Sequence, residues 1–494
     1  MKRWVLAATI LGSSMAFIDT TVVNIALPVM QRDLHADVAA AQWIIDAYLL
    51  VLSALILAGG ALGDRLGRVR VFGFGVVVFA GASIWCGMAP SSTQLIIARA
   101  LQGAGAAMLV PGSLAIIAAT FPKEERGRAI GTWSSLTSLA IIAGPLLGGV
   151  LVQTISWRAV FLINAPIALV VLWIVWRHMP ADKTSNDGAI DWIGTALVTV
   201  GLGGLAFAFI ERVWIAGIVG VVALIAFIFV ERRVSNPIVP FSLFRSSAFT
   251  GANVLTLLLY AALSAATFLL PFNYIQVQGY TPAAAGAAFL PFVGTMSLLS
   301  RWSGALADRI GPRPLLITGP LIAAAGLALL AWPGIGGSYW TTFFPGVLVL
   351  GLGMSVTVAP LTTTVMTSID DERHTGAASG INNAVARAAG LLAVAVLGMV
   401  AVQIFARDLD SRLANQPPEV RRAMLAQSDR LAEAQPPGGA NAEVVRDAVK
   451  HSFVRAFRVT TLSSAVLAAL SVLGALMITA KRRPAAAGGA DRSS

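Results

Sequence analysis

The sequence predicts an all-α membrane protein of fourteen spans, built as two six-helix bundles with two intervening helices. Three observations predict it: a composition too poor in charge for a soluble chain, fourteen long apolar runs, and an internal repeat. Of 494 residues, 57% are apolar and 12% charged, whereas a soluble protein carries about 25% charged residues. One cysteine, Cys86, and four histidines leave no disulfide framework and little material for a metal site.

Uninterrupted apolar stretches of at least about 18 residues mark spans. The first, near 4–30, follows Met1, Lys2 and Arg3, which also describes a secretory signal peptide. Its continuation to Met30 and the acid Asp19 within it favour a span. The next five lie near 38–62, 71–90, 93–121, 129–153 and 157–176. Segments near 189–210 and 213–230 form the intervening pair. The last six lie near 247–276, 282–306, 314–332, 340–366, 377–405 and 457–480. Helices are expected because lipid offers no partner to an unpaired backbone group, and the runs are too long and uniform for barrel strands.

The repeat fixes how the spans group. Gly60-Ala-Leu-Gly-Asp64-Arg65-Leu-Gly67-Arg68 recurs as Gly304-Ala-Leu-Ala-Asp308-Arg309-Ile-Gly311-Pro312, an offset of 244 between the aspartates. Glu125-Arg126 before Gly127 resembles Glu372-Arg373 before Gly376, an offset of 247. Six spans of about 30 residues each, loops included, leave roughly 60 residues of that offset, room for two more helices. The expected domains are an N-terminal bundle at 1–180, two linking helices at 181–240, and a C-terminal bundle at 241–483 with a long external loop at about 403–458. A disordered cytoplasmic tail, 484–494, follows. The loop alternates charge signs among apolar residues such as Val420, Met424 and Leu431, which suits one or two surface helices.

Lys and Arg in short loops set orientation. With a cytoplasmic N-terminus the inner segments hold 20 basic residues and the short outer loops only Arg32, Arg158 and Arg212. Both termini are therefore expected in the cytoplasm, as an even number of spans requires. The net charge of +11 then meets anionic lipid rather than nucleic acid.

The motifs resemble the major facilitator superfamily, and within it the fourteen-span drug/proton antiporters, the EmrB/QacA-like group. The resemblance runs from about Phe17 to Leu397. Asp19-Thr20-Thr21-Val22-Val23-Asn24-Ile25-Ala26-Leu27-Pro28 is similar to that group's opening signature, and Trp43 to Tyr48 to its second helix. Gly60 to Arg70 resembles the superfamily loop motif, Arg99-Ala-Leu-Gln102-Gly103-Ala-Gly105 the fourth-helix motif, and Gly144-Pro145-Leu-Leu-Gly148-Gly149 the antiporter motif. Ser156-Trp157-Arg158 with Asn164-Ala-Pro166 resembles the sixth-helix entry. Ala140 stands where the antiporter motif usually opens with glycine, Pro312 where the first loop motif has Arg68, and the later spans lack the buried acids some multidrug members use for cations. The resemblance implies a major facilitator fold and a proton-coupled exporter of amphipathic small molecules or drugs across the inner membrane. It implies no enzyme activity and no cofactor, the proton gradient being the energy source; the partners are the cargo, protons and membrane lipids, with a monomer sufficient.

Ionisable residues at membrane depth are functional candidates by default. Asp19 lies roughly 22 Å along an outward-running helix at 1.5 Å per residue, and Asp46 and Arg99 fall at a similar level. These three are the proton-coupling candidates, because an acid held out of water resists ionisation and can carry a proton across. Structural salt bridges are the competing reading. Asn24, Trp133, Asn164, Phe268, Asn382, Asn383 and Arg387 are the cargo-cavity candidates. Arg387 suits either an anionic or zwitterionic cargo group or a carboxylate partner such as Asp19. Gly60, Asp64, Arg65, Gly67, Arg68, Asp308 and Arg309 sit at cytoplasmic helix ends, where charge-assisted bonds can hold one conformation shut. Gly144, Pro145, Gly148 and Gly149 allow a kinked helix to approach its neighbour closely. A dedicated exporter of a lipid or secondary metabolite is the rival reading. A membrane-embedded enzyme or receptor is more remote, since no nucleophile, metal cluster or phosphate loop accompanies the spans.

Overall fold

The structure, a computed structural model, describes residues 2–179, 191–234, 237, 239–368, 375–437 and 441–478. Within those helices the side chains of Asp64, Arg301 and Asp308, among others, are not described. The long helices are α1 (Lys2–Asp33), α2 (Val38–Leu66), α3 (Arg68–Met88), α4 (Ser92–Thr120), α5 (Lys123–Thr154), α6 (Ala159–His178, broken at Ile163), α7 (Trp192–Ile210) and α8 (Trp214–Glu231). They continue as α9 (Ser247–Phe272), α10 (Leu290–Ile310, entered through a short helix, Pro282–Ala287), α11 (Pro312–Leu330), α12 (Phe344–Thr367), α13 (Thr375–Arg412) and α14 (Ala442–Leu470). Among the described residues, thirteen helical segments are long and apolar enough to cross a membrane, and α5 adds a shorter apolar stretch, Ala143–Thr154. The described residues contain no strand.

The expected fold is the observed one. Helices α1 to α6 pack together, as do α9 to α14, and the two groups meet where α2 lies on α13 and where α5 lies on the short helix Pro282–Ala287. The pair α7 and α8 packs on itself and docks through α7 onto α2 and α13, outside the central seam. α7 and α8 have little polar surface and expose Ile215, Ile218, Val222 and Phe229, as lipid-facing helices must.

The internal repeat reappears in backbone geometry. Gly67 turns α2 into α3 at φ +100°, and Gly311 turns α10 into α11 at φ +85°; a side chain would be strained at both. Prolines also recur in matching helices, Pro28 in α1 and Pro271 in α9, then Pro111 in α4 and Pro360 in α12. After Pro271 the chain widens into a π-helical turn, Asn273–Val277, a local unwinding that lets the freed carbonyls find other donors.

The ends of α13 and α14 differ from the expected 377–405 and 457–480. Both helices run past the apolar segments, so the connection spans Leu413 to Asn441 rather than 403–458. Charge ends a hydropathy window without ending a helix: Arg412 donates to Asp408 at 2.6 Å and Arg455 lies 3.4 Å from the same carboxylate. The connection holds a surface helix, Pro418–Leu425, and a tight turn, Ser428–Glu433. The expected tail at 484–494 lies outside the described residues.

Candidate functional site

Five helices of the first bundle bring a polar cluster together out of water. Arg99 and Gln102 are three residues apart on α4 and so share a face. Arg99 donates through Nη1 to Asp19 Oδ2 on α1 at 2.5 Å, and Gln102 Nε2 donates to Asp19 Oδ1 at 2.8 Å. The remaining guanidinium surface is used as well: Nε donates to the Ile44 carbonyl of α2 at 3.0 Å, and the Tyr48 ring lies 4.3 Å from the guanidinium carbon. Gln102 reaches Ser83 of α3 at 3.2 Å, and Asn164 of α6 donates to the same Ser83 oxygen at 2.9 Å. Arg99 is 2% exposed and Asp19 fully buried. Two charges cost several kcal/mol each to desolvate, and this cluster offsets that cost by neutralising the pair and filling the carboxylate's acceptor sites.

Asp46 has the opposite environment. It is fully buried on α2, and neither carboxylate oxygen has a hydrogen-bond partner among the described residues. Its neighbours one turn either way explain where it points. Gln42 donates to the Val394 carbonyl of α13 at 2.9 Å and Leu49 packs beside Gly390 of α13, while Trp43 donates to Glu211 at the end of α7 at 2.9 Å and Leu50 lies against Gly203 of α7. Asp46 therefore sits where α2, α13 and α7 converge, at the seam between the two bundles. An ionised carboxylate there has neither donor nor counter-charge, so the neutral acid is the form this packing accommodates.

On the other side of the seam, one face of α9 is matched to one face of α13. Asn382 donates to Asn253 Oδ1 at 3.2 Å and to Thr256 Oγ1 at 2.7 Å. Two turns further, Gly390 faces Ser264. Arg387 lies between these two contacts, half-buried, within electrostatic range of Tyr260 on α9 and of Tyr48 on α2. Asn383 is exposed beside it. The alternative pairing of Arg387 with Asp19 is not the observed one, because Asp19 is taken by Arg99.

The other cavity candidates scatter. Asn164 is 1% exposed inside the first bundle, Phe268 is buried against Phe272 at 5.5 Å, and Asn24 bonds back to the Thr20 carbonyl at 3.1 Å. Trp133 donates to Ser13 at 3.2 Å and meets Phe17 edge-on.

Of the gating candidates, the Gly144-to-Gly149 segment of α5 packs on two surfaces. Gly144 and Gly148 accept Thr21 and Val22 of α1, within one bundle, whereas Gly149 lies against the Pro282 carbonyl and the Pro145 carbonyl lies against Gly286, across the bundles. Gly60 faces Pro111 of α4, and Arg68 donates to the Ala115 carbonyl at 3.4 Å. Arg65 and Arg309 are exposed and make no ion pair among the described residues. The side chains of Asp64 and Asp308 lie outside the description.

The far end of the bundle, opposite the N-terminus, is tied shut. Gln276 Nε2 donates to Gln31 Oε1 at 3.1 Å between bundles. The turn Ser428–Glu433 lies over this junction: Gln31 donates to the Arg430 carbonyl at 3.5 Å, Arg32 pairs with Glu433 at 2.9 Å, and Arg212 with Asp429 at 3.4 Å. Leu431 at its centre is 1% exposed with φ +50°, a strained conformation for a branched residue that only its anchored surroundings sustain. Nearby, partial burial pushes the Tyr339 phenol up to about 12, so it stays a donor, here to the Ala288 carbonyl at 2.8 Å.

Tyr48 and Gln102 entered the sequence reading only as motif members, and Ser83 and Tyr260 not at all. The i, i+3 spacing of Arg99 and Gln102 was an available signal for one of them; Ser83 had none.

Comparison with known proteins places these features. Residues 9–394 match the profile of the Major Facilitator Superfamily. The chain is 33% identical over 438 residues to the multidrug resistance protein Stp of Mycobacterium tuberculosis, an alignment covering 85% of this chain and 80% of that protein. It is 34% identical over 416 residues to the puromycin resistance protein pur8 of Streptomyces alboniger, covering 81% and 82%. A solved bacterial homologue of the human lysosomal transporter Spinster, inward-facing and unoccupied, superposes with a TM-score of 0.69 at 18% identity over 97% of both chains, a likeness of fold.

Proposed function

Since the chain belongs to the Major Facilitator Superfamily, we propose that it is a proton-coupled exporter of amphipathic small molecules in the cytoplasmic membrane, akin to the fourteen-span drug/proton antiporters. The observation that carries this reading is the orphaned, fully buried carboxylate of Asp46 at the seam between the bundles. A neutral acid fits the closed seam; releasing its proton demands water or a donor, and hence a parted seam. Protonation and bundle orientation are thereby linked, and a cargo that favours the other orientation is exchanged against the proton.

The basic-residue bias assigns the far end to the outside and both termini to the cytoplasm. On that assignment the molecule is closed outward, by Arg32 with Glu433, Gln31 with Gln276 and the Gly149 and Gly286 contacts. Asp19 and Arg99 then act as a fixed ion pair that holds α1, α2 and α4 in register, rather than as the exchanging acid.

Dye movement in inverted vesicles under an imposed proton gradient tests the coupling. Asp46→Asn is expected to bind dye normally and lose gradient-driven movement by tenfold or more. Undiminished movement in that variant, or in the parent after the gradient is collapsed, overturns the reading. A dedicated exporter of one metabolite is the second reading, favoured by relatives named for a single compound, such as the puromycin resistance protein. Broad resistance in a pump-deficient host would exclude it.

A further inference from the structure

A guanidinium within the span region carries a cost of a few kcal/mol unless it is neutralised or solvated, and Arg387 is not neutralised by the protein. Among the described residues it makes no ion pair and no hydrogen bond. The acids that share its neighbourhood are otherwise disposed. Asp19 accepts from Arg99 and Gln102. Asp46 lies further along the α2–α13 seam, beside Gln42, which bonds Val394, two turns beyond Arg387; it makes no ion pair with Arg387.

Uncharged groups from three helices lie along the same stretch of the seam as Arg387. Asn382 is fixed to Asn253 and Thr256. Tyr260 follows Thr256 by one turn on α9, and Tyr48 approaches from α2 with its ring held on Arg99. Gly390, one turn beyond, lets α9 and α2 close in on α13, since a methyl group there would meet Ser264 at 2.9 Å and Leu49 at 3.7 Å. The result is one half-buried cation on α13, within electrostatic range of a phenol from α9 and one from α2. Such a point recognises an anion, because the guanidinium there has no ion-pair partner among the described residues, while the Tyr48 hydroxyl is directed to the Ala16 carbonyl at 3.5 Å.

We infer that Arg387, flanked by Tyr48 and Tyr260, is the anion-binding point of the cargo path, so that the cargo is an amphipath with a carboxylate, phosphate or similar group on an apolar body. This inference rests on the exporter reading for its biological role, but the binding chemistry stands by itself.

The test uses the full-length protein in phosphatidylcholine nanodiscs, titrated with three matched fluorescent probes: 1-pyrenebutyrate, 1-pyrenebutanol and a pyrenylbutyl trimethylammonium salt. The parent should bind the butyrate about tenfold or more tighter than the alcohol, the ratio one charge-assisted hydrogen bond supports. Arg387→Gln should bring that ratio to about one with alcohol binding retained, and Arg387→Lys should keep a reduced preference. If Arg387→Gln binds neither probe, the ratio in Arg387→Lys decides. Equal affinities in the parent, a preference for the trimethylammonium probe, or a preference that survives Arg387→Gln overturns the inference. Competition by phosphatidylglycerol added to the nanodiscs would identify a lipid phosphate as occupant, and its absence a soluble acid; both are anion binding at this point. Should the preference hold while no probe moves under a proton gradient, the exporter reading fails and the anion site remains.

Discussion

Asparagine placed at Asp19 and at Asp46, one at a time, makes the same chemical change in two buried sites and should give unlike results. At Asp19 the change removes the counter-charge of a guanidinium that is 2% exposed and bonded at 2.5 Å to the carboxylate. Breaking a buried pair by deleting one partner costs about 3–5 kcal/mol, because the remaining charge is left uncompensated. The carboxamide oxygen can still accept from Gln102, so the lower part of that range is expected. At Asp46 no partner exists to be lost. If the native group there is the neutral acid, asparagine replaces one unpartnered neutral group with another of nearly equal shape, and the cost stays under about 2 kcal/mol. The two variants, unfolded in parallel with a denaturing detergent and followed by tryptophan fluorescence, should therefore differ by at least about 1 kcal/mol, with Asp19→Asn the less stable. Equal losses, or the reverse order, would mean that Asp46 carries its charge in this conformation and that the assignment of the exchanging acid is wrong.

Two further outcomes follow from the closed far end. Gly286→Val drives a branched side chain against the Pro145 carbonyl, an overpacking that costs about 1–3 kcal/mol in the outward-closed state; maleimide labelling of a cysteine at Gln276 should rise, and an unchanged labelling rate would count against closure by this contact. Gln31→Cys with Arg430→Cys, in a Cys86→Ser background, should cross-link under oxidation and stop dye movement until reductant is added, since on the proposed export reading cargo leaves past the turn over Gln31; movement through the cross-linked protein would remove the turn from the exit path.

The span count, the bundle duplication and the turns at Gly67 and Gly311 were legible because each leaves a local mark: an apolar run, an offset of 244, a glycine between two helices. Membrane burial likewise made Asp19, Asp46 and Arg99 conspicuous before any contact was known. What the chain order does not encode locally is the rotation of each helix about its axis. That rotation gives Asp19 to Arg99 rather than to Arg387, leaves Asp46 without a partner, and turns Asn164 inward to Ser83. The helix ends near Arg412 and Ala442 escaped for another reason. Hydropathy registers lipid contact, whereas Asp408 with Arg412 and Arg455 extends the helices beyond it.

The same seam carries both proposed events, which bears on how they are coupled. Along α13, Arg387 and Val394 are seven residues apart, about 10 Å at 1.5 Å per residue, and Gln42 holds α2 to Val394 one turn from Asp46. Gly398, one turn further, gives the Gln42 carboxamide its room. A cargo lodged at Arg387 meets Tyr48 of α2 on one side and Tyr260 of α9 on the other, so its bulk bears on the same two helices whose apposition keeps water from Asp46. Charge repulsion between cargo and Asp46 is not needed for exchange. Parting α2 from α13 for cargo lengthens the Gln42 bond and wets the acid; closing them favours the neutral form. Because such linkage is reciprocal, loosening the seam at Gln42 should weaken coupling while cargo binding at Arg387 is retained or tightened, since parting the helices no longer breaks the bond to Val394. A variant such as Gln42→Ala that lost binding and coupling together would place the coupling elsewhere.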